Sequence, residues 1–170
     1  MHNLFETANL SVREFNLDDS DFIYDLVNTD GWKRFIGDRN VSDREGALNY
    51  IKTALLDSYT KNGYGGWCVS IKETNEPIGM CGLFPRDFLE YPELGFAFMP
   101  HVQGRGFAYE SARGAINYIR GNYTLKGLSA TTKLDNTRSQ NLLDRLGFTQ
   151  LPNITIPGKT EESTLFKLIL

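Results

Sequence analysis

The chain has 170 residues and a formal net charge of −3, a size that fits one domain over residues 1–170 with a substantial core. Apolar residues make up 41% and charged residues 23%, ordinary for a globular chain, and the weak negative charge gives no support for nucleic-acid binding through a basic surface. Met1-His2-Asn3-Leu4-Phe5-Glu6 lacks a basic segment followed by an apolar run, and no apolar stretch is long enough to span a bilayer, so the expectation is a cytoplasmic protein without membrane contact.

Leu10 to Phe15 alternates weakly and predicts a first strand. A helix follows, with Asp18 as its cap, Leu17 packing on Phe22 as a staple, and Ile23, Leu26 and Val27 extending the apolar face. Gly31 lies beyond its expected end. Ser42-Asp43-Arg44-Glu45 reads as a capping box that opens a second helix, with Ala47, Ile51, Ala54, Leu55 and Ser58 on one face as far as about Tyr59. Gly63-Tyr64-Gly65-Gly66 breaks it.

Strands are expected at Trp67 to Ile71, Ile78 to Phe84 and Glu93 to Met99, the first two joined by a turn over Lys72 to Pro77. In the third, Leu94, Phe96 and Phe98 share one face, and Glu93, Gly95, Ala97 and Met99 share the other. The small residues of the second face leave room for a backbone or a ligand. A Gly-rich loop comes next, then a helix with Ala108, Ser111, Ala112, Ala115, Ile116 and Ile119 on one side and its end near Gly121-Asn122. Leu128 to Thr132 predicts another strand, and Asp135 or Asn136 caps a helix that carries Leu142, Leu143 and Leu146 and stops at Gly147. Phe148 to Leu151 and Thr164 to Leu170 are the last strands. The class is mixed α/β (α+β).

Cys68 and Cys81 sit in apolar strand-like runs and read as small buried hydrophobes. The two histidines, His2 and His101, form no ligand cluster with them, so no metal is expected. His101 is expected in a solvent-facing loop.

Gln103-Gly104-Arg105-Gly106-Phe107-Ala108 stands between a strand and a helix. Two glycines let the main chain approach a ligand closely. The N–H groups of the opening helical turn lack internal partners, and with the helix dipole they suit an anion, to which Arg105 adds charge. A Walker loop needs Lys-Ser or Lys-Thr after the second glycine, and the dinucleotide fingerprint needs glycine where Tyr109 stands, so both patterns fail. A plain tight turn is the alternative reading of the loop taken alone.

Gln103-x-x-Gly106-x-Ala108 resembles the (Gln/Arg)-x-x-Gly-x-(Gly/Ala) signature of the GCN5-related N-acetyltransferases (GNAT). The wider strings Glu93-Leu94-Gly95-Phe96 and Gln103 to Ala112 resemble the branch that acetylates the N-termini of ribosomal proteins. Asn136-x-x-Ser139-x-x-Leu142, ending in Leu146-Gly147-Phe148, is similar to a second signature of the family. The resemblance implies a mixed, mostly antiparallel central sheet of six to seven strands, flanked by about four helices, with a splayed strand pair forming the cleft for acetyl-CoA. It implies that backbone groups around Phe96, Ala97 and Phe98 bond the pantetheine arm. Gln103, Gly104, Arg105, Gly106, Phe107 and Ala108 bind the pyrophosphate in that reading, and Asn136 and Ser139 approach from the other side.

Acetyl transfer to an amine requires removal of a proton, stabilisation of the thioester oxygen and stabilisation of the leaving thiolate. Glu93 is the leading general-base candidate, since some relatives carry a catalytic glutamate near this position; its alternatives are a solvated strand-edge residue or one that only orients substrate. Many family members place a tyrosine seven residues after the asparagine, where this chain has Leu143. Ser139 is then the candidate for stabilising the thiolate, or it only caps its helix. Glu110 reads as mainly structural. Tyr64, Trp67, Phe84, Phe88 and Tyr91 are candidates for an acceptor pocket or for the core. The acceptor is a primary amine, either a protein N-terminal α-amine or a small amine such as an aminoglycoside, polyamine or amino-acid derivative. A non-catalytic acyl-CoA-binding module is the rival class, and either a monomer or a homodimer fits.

Overall fold

The computed structural model describes residues 2–170. Its strands are β1 (Phe5–Glu6), β2 (Leu10–Glu14), β3 (Gly66–Ile71), β4 (Pro77–Phe84), β5 (Glu93–Phe98), β6 (Gly127–Lys133), β7 (Thr149–Thr155) and β8 (Glu162–Ile169). They form one eight-stranded sheet in the order β1-β2-β3-β4-β5-β6-β8-β7. Every neighbouring pair is antiparallel except β5 and β6. The strand beyond the expected set is β1, whose two residues pair with Val12 and Ser11 and are too short for an alternation to register in the sequence.

Five helical bodies cover the sheet among the described residues: α1 (Ser20–Val27), α2 (Asp30–Phe35), residues 44–62, α5 (Phe107–Asn122) and α6 (Thr137–Arg145). The long third body is α3 (Arg44–Tyr50) and α4 (Asp57–Asn62) joined by a wider turn over Ile51–Leu56, where the Asp57 N–H reaches back to Lys52 O. Among the described residues no helix is long and apolar enough to cross a membrane.

Strand alternation divides the interior into two cores, one on each face of the sheet. Trp67, Val69, Cys81, Leu83, Leu94 and Phe98 join the α5 side, together with Ala112, Ile116, Ile119 and Leu143. Cys68 and Met80 turn to the opposite side, against Ile23, Leu26, Trp32, Ile51 and Leu55. Both cysteines are buried and free, as their setting in the sequence implied.

Three local expectations change. Asn16, not Asp18, caps the first helical turn, in a box with Asp19, and Asp19 is also held by both guanidinium nitrogens of Arg13 at 2.8 and 2.7 Å. Leu17 is 41% exposed and staples nothing. At the second helix the cap is Asp43, which accepts from Gly46 N at 2.8 Å, one residue later than expected; a carboxylate is as good an acceptor there as the Ser42 hydroxyl. Gly31 lies beyond the end of α1 at Val27, as expected, but inside a further helix, α2, because Thr29 accepts from Trp32 N and starts a new turn.

Candidate active site

The strands β5 and β6 run parallel but meet at one register position, Glu93 opposite Ser129, where Ser129 N donates to Pro92 O at 3.0 Å. Beyond that point they part. On its other side β5 is fully paired with β4, and Met99 N donates to Ile78 O at 2.9 Å. Peptide groups alternate in direction along a strand, so Gly95 and Ala97 turn theirs to β4 while Phe96 and Phe98 turn theirs to the gap. Phe98 O is taken by the Gln103 side chain, whose Nε2 donates at 3.0 Å. The backbone of Phe96 is left facing a cleft of about 590 Å³. Of the three residues expected to offer backbone groups to a pantetheine arm, Phe96 is therefore best placed, and Ala97 has its groups committed to β4.

The edge leads to the loop. Gly104 and Gly106 adopt φ of 80° and 85°, a left-handed conformation that costs a side-chain-bearing residue on the order of 1 kcal/mol or more. A Cβ at either would meet nothing within 4 Å, so it is the backbone direction that calls for glycine. Gly106 is the N-cap of α5 and supplies no side-chain bond to the first turn. The free N–H groups there and the dipole of a 16-residue helix suit an anion. Arg105 is exposed beside it, with its guanidinium 4.9 Å from the centre of the Phe107 ring. Phe107 itself is buried and anchors the helix in the core, while Ala108 lines the cleft.

Across the cleft stands the start of α6. Asn136 is its cap and accepts from Ser139 N at 3.3 Å. Ser139 is thus not the capping side chain; its hydroxyl is half-buried, lines the cleft and has no hydrogen-bond partner among the described residues. Arg138 Nη1 donates to Gln103 Oε1 at 3.1 Å, so Gln103 connects the end of β5 to α6.

The other end of the cleft opens on the face covered by α1 to α4. Glu93 projects there, on the same side of β5 as Gly95 and Ala97. It is 9% exposed, not a solvated strand-edge residue. Its Oε2 accepts from Arg86 Nε at 2.7 Å and its Oε1 from the Thr131 hydroxyl of β6. Trp32, Phe35, Phe84 and Phe88 wall this end. The space expected over Gly95 is taken by the Phe84 ring, where a Cβ would meet Cε2 at 2.9 Å. Burial raises the Tyr50 hydroxyl's pKa, against the opposing charges of Arg39 and Arg86 and a hydrogen bond with Arg39.

Phe84 and Phe88 are in the pocket, but the other aromatic candidates are not. Trp67 is fully buried in the core. Tyr64 packs edge-on against Tyr123, and Tyr91 lies under Lys167 Nζ at 5.2 Å. His101 is exposed and meets Glu76 Oε1 at 3.2 Å. Glu110 is structural: it accepts from Thr7 Oγ1 at 2.6 Å, Asn9 N at 2.7 Å and Asn9 Nδ2 at 3.0 Å.

Sequence reasoning missed Arg39, Tyr50, Arg86, Thr131 and Arg138. No local pattern marks them: Thr131 meets Glu93 through the register of β5 on β6, Arg39, Tyr50 and Arg86 come together from the segment after α2, from α3 and from the loop after β4, and Arg138 is carried by α6. The arrangement fits an acyl-CoA: a free strand edge, an anion site at the α5 start, and the buried, unpartnered Thr132 Oγ1 in the cleft wall.

A family model described as "Acetyltransferase (GNAT) domain" matches residues 9–149. The chain is 27% identical over 149 residues to the uncharacterized N-acetyltransferase YoaA of Bacillus subtilis (strain 168), covering 87% of this chain and 84% of the relative. Its fold is similar to a ribosomal-protein-S5-alanine acetyltransferase from Vibrio fischeri (TM-score 0.80, 19% identity, 97% and 95% of the two chains covered). It is also similar to the spermidine N-acetyltransferase of Vibrio cholerae in complex with CoA and spermine (TM-score 0.79, 17% identity, 95% and 96% covered). With the family's sequence pattern running through the parted strands, the loop and the start of α6, this chain belongs to the GNAT acetyltransferases and is an acyltransferase.

Proposed function

We propose that this acetyltransferase moves the acetyl group of acetyl-CoA directly to a primary amine held in the same cleft, with a protein N-terminal α-amine as the first acceptor to test and a small amine as the second. The observation that carries this reading is the free edge of β5 at Phe96, which runs to the uncapped start of α5.

When bound, acetyl-CoA supplies the acetyl group as a thioester. The N–H groups of the loop and first helical turn, Gln103 to Ala108, hold the pyrophosphate, with Arg105 adding charge at the rim. The backbone of Phe96 guides the arm, with the Phe98 N–H beside it, while Ala97 stays bonded to β4. Asn136 fixes the start of α6, and so places Ser139, whose free hydroxyl donates a hydrogen bond to the departing sulfur.

Glu93 stands on the acceptor face. Arg86 and Thr131 fix its carboxylate, and each oxygen keeps a further lone-pair direction. Glu93 receives the amine there and takes its proton, directly or through one water. Orientation of both reactants contributes as much as the proton transfer.

The test is release of free thiol from acetyl-CoA, with mass-spectrometric detection of acetylated product, across N-terminal peptides and small amines. Acetylated product is expected from at least one class. Tight CoA binding without product from any acceptor overturns the proposal.

A further inference from the structure

The acceptor end of the cleft has an unusual charge balance for a site that receives an ammonium group. Among the described residues Glu93 is the single carboxylate in its wall, and Arg86 already pairs with it at 2.7 Å. Arg39 lines the same end, is exposed, and forms no ion pair among the described residues. Its charge acts on the Tyr50 hydroxyl beside it. Lys133, Arg138 and Lys159 add further positive charge to the lining of the cleft. Phe35, Phe84 and Phe88 supply apolar walls between these charges.

We infer that the acceptor is a primary amine that also carries a carboxylate on an apolar body, with Arg39 as the residue that reads the carboxylate. This rests on the acetyltransferase reading of the same cleft. A polycationic amine needs several unpaired carboxylates in the wall, and among the described residues this wall offers none. A guanidinium with a free fork binds a carboxylate through two parallel bonds. Tyr50 stands beside Arg39 in the same wall. The amine then lies toward Glu93, where the Arg86 partner reduces repulsion between Glu93 and the substrate's own carboxylate. Two sources share this chemistry: a free amino acid, and a peptide N-terminus followed closely by an acidic side chain.

The experiment compares kcat/KM for matched pairs that differ only in the carboxylate: phenylalanine and leucine against their decarboxylated amines. Amidated tetrapeptides with Glu or Gln at the second position form the other arm. The carboxylated member of at least one arm is expected to be favoured tenfold or more, chiefly through KM, and the arm in which this occurs names the source. Arg39→Ala brings that ratio toward one, and Arg39→Lys restores part of it. Equal kcat/KM within all pairs, preference for the member that lacks the carboxylate, or a ratio untouched by Arg39→Ala overturns the inference while leaving acetyl transfer intact. Absence of thiol release with every amine overturns the acetyltransferase reading, and this inference with it.

Discussion

Thr131 Oγ1 donates a hydrogen bond to Glu93 Oε1, joining by side chains the two strands whose backbones separate immediately beyond. The bond lies at the apex of the cleft. It holds the carboxylate in one orientation while leaving the acceptor face open.

If Glu93 takes the amine proton, Glu93→Gln lowers kcat by roughly 10²-fold, the lower range of general-base contributions. Steady-state and single-turnover rates measure this; a raised KM for the amine with kcat unchanged assigns Glu93 to substrate orientation alone. Thr131→Val produces a smaller loss of the same kind, since Arg86 still holds the other oxygen.

Gly106→Val is expected to weaken CoA binding at least tenfold, by straining a residue at φ 85° and by blocking close approach to the loop backbone. Gly121 is the matched control. It lies within α5 at an ordinary φ, with open space where a methyl group would stand, so Gly121→Ala raises stability by about 0.5–1 kcal/mol without affecting CoA. Calorimetric titration with CoA and urea unfolding separate the two effects.

Asn136 and Ser139 divide a task that the sequence left undivided. Asn136→Ala removes a helix cap and costs about 1 kcal/mol. Ser139→Ala leaves the cap bond in place, because that bond uses the Ser139 backbone N–H. Its expected effect is on kcat, with little change in the urea midpoint. A change in stability as large as that of Asn136→Ala, with kcat intact, contradicts the role given to the Ser139 hydroxyl.

Glu110 ties the β1–β2 turn to α5. Burial pushes its carboxyl pKa up, but hydrogen bonds from Thr7 and Asn9 outweigh this, and the net direction is down. A carboxylate with a lowered folded pKa stabilises the protein above the unfolded value of about 4.3, and that stability is lost as pH falls through the folded value. Glu110→Gln therefore lowers stability at neutral pH, by less than the roughly 1.5–3 kcal/mol of a hydrogen bond to a buried charge, because solvent screens the site and the amide keeps one acceptor oxygen. The difference from the parent chain shrinks in urea titrations repeated toward about pH 3, below the unfolded carboxyl value.

Burial pushes the Cys68 thiol up to about 11 and the Cys81 thiol up to about 12. The reactive species is the thiolate, so neither cysteine is labelled by iodoacetamide at about pH 8 until denaturant is added. Rapid labelling of the native chain contradicts their placement in the core.

Much of this fold was legible because burial writes a period into the chain. The apolar run of Trp67 to Ile71 and the helical spacing from Ala108 to Ile119 each survive into the structure as strand and helix. The loop was legible for a different reason: glycines at 104 and 106 report a backbone requirement at their own positions. Two kinds of feature escaped. A single-residue choice among adjacent polar groups, Asn16 over Asp18 or Asp43 over Ser42, depends on where the first helical N–H groups point. The wall proposed for the acceptor is assembled from α2, the segment after it, α3 and the loop before β5, and Arg39, Tyr50 and Arg86 have no spacing that marks them as neighbours. Phe84, visible as a strand residue, fills the very space that Gly95 leaves.

The placement of the two tryptophans makes the molecule its own optical sensor. Trp67 is sealed in the core on the α5 side, while Trp32 lines the cleft with its Nε1 buried and unpartnered. Emission from Trp67 is a steady background. Emission from Trp32 shifts when the acceptor end fills and the surroundings of its indole change, so occupancy of that end can be followed continuously, without a label and without turnover.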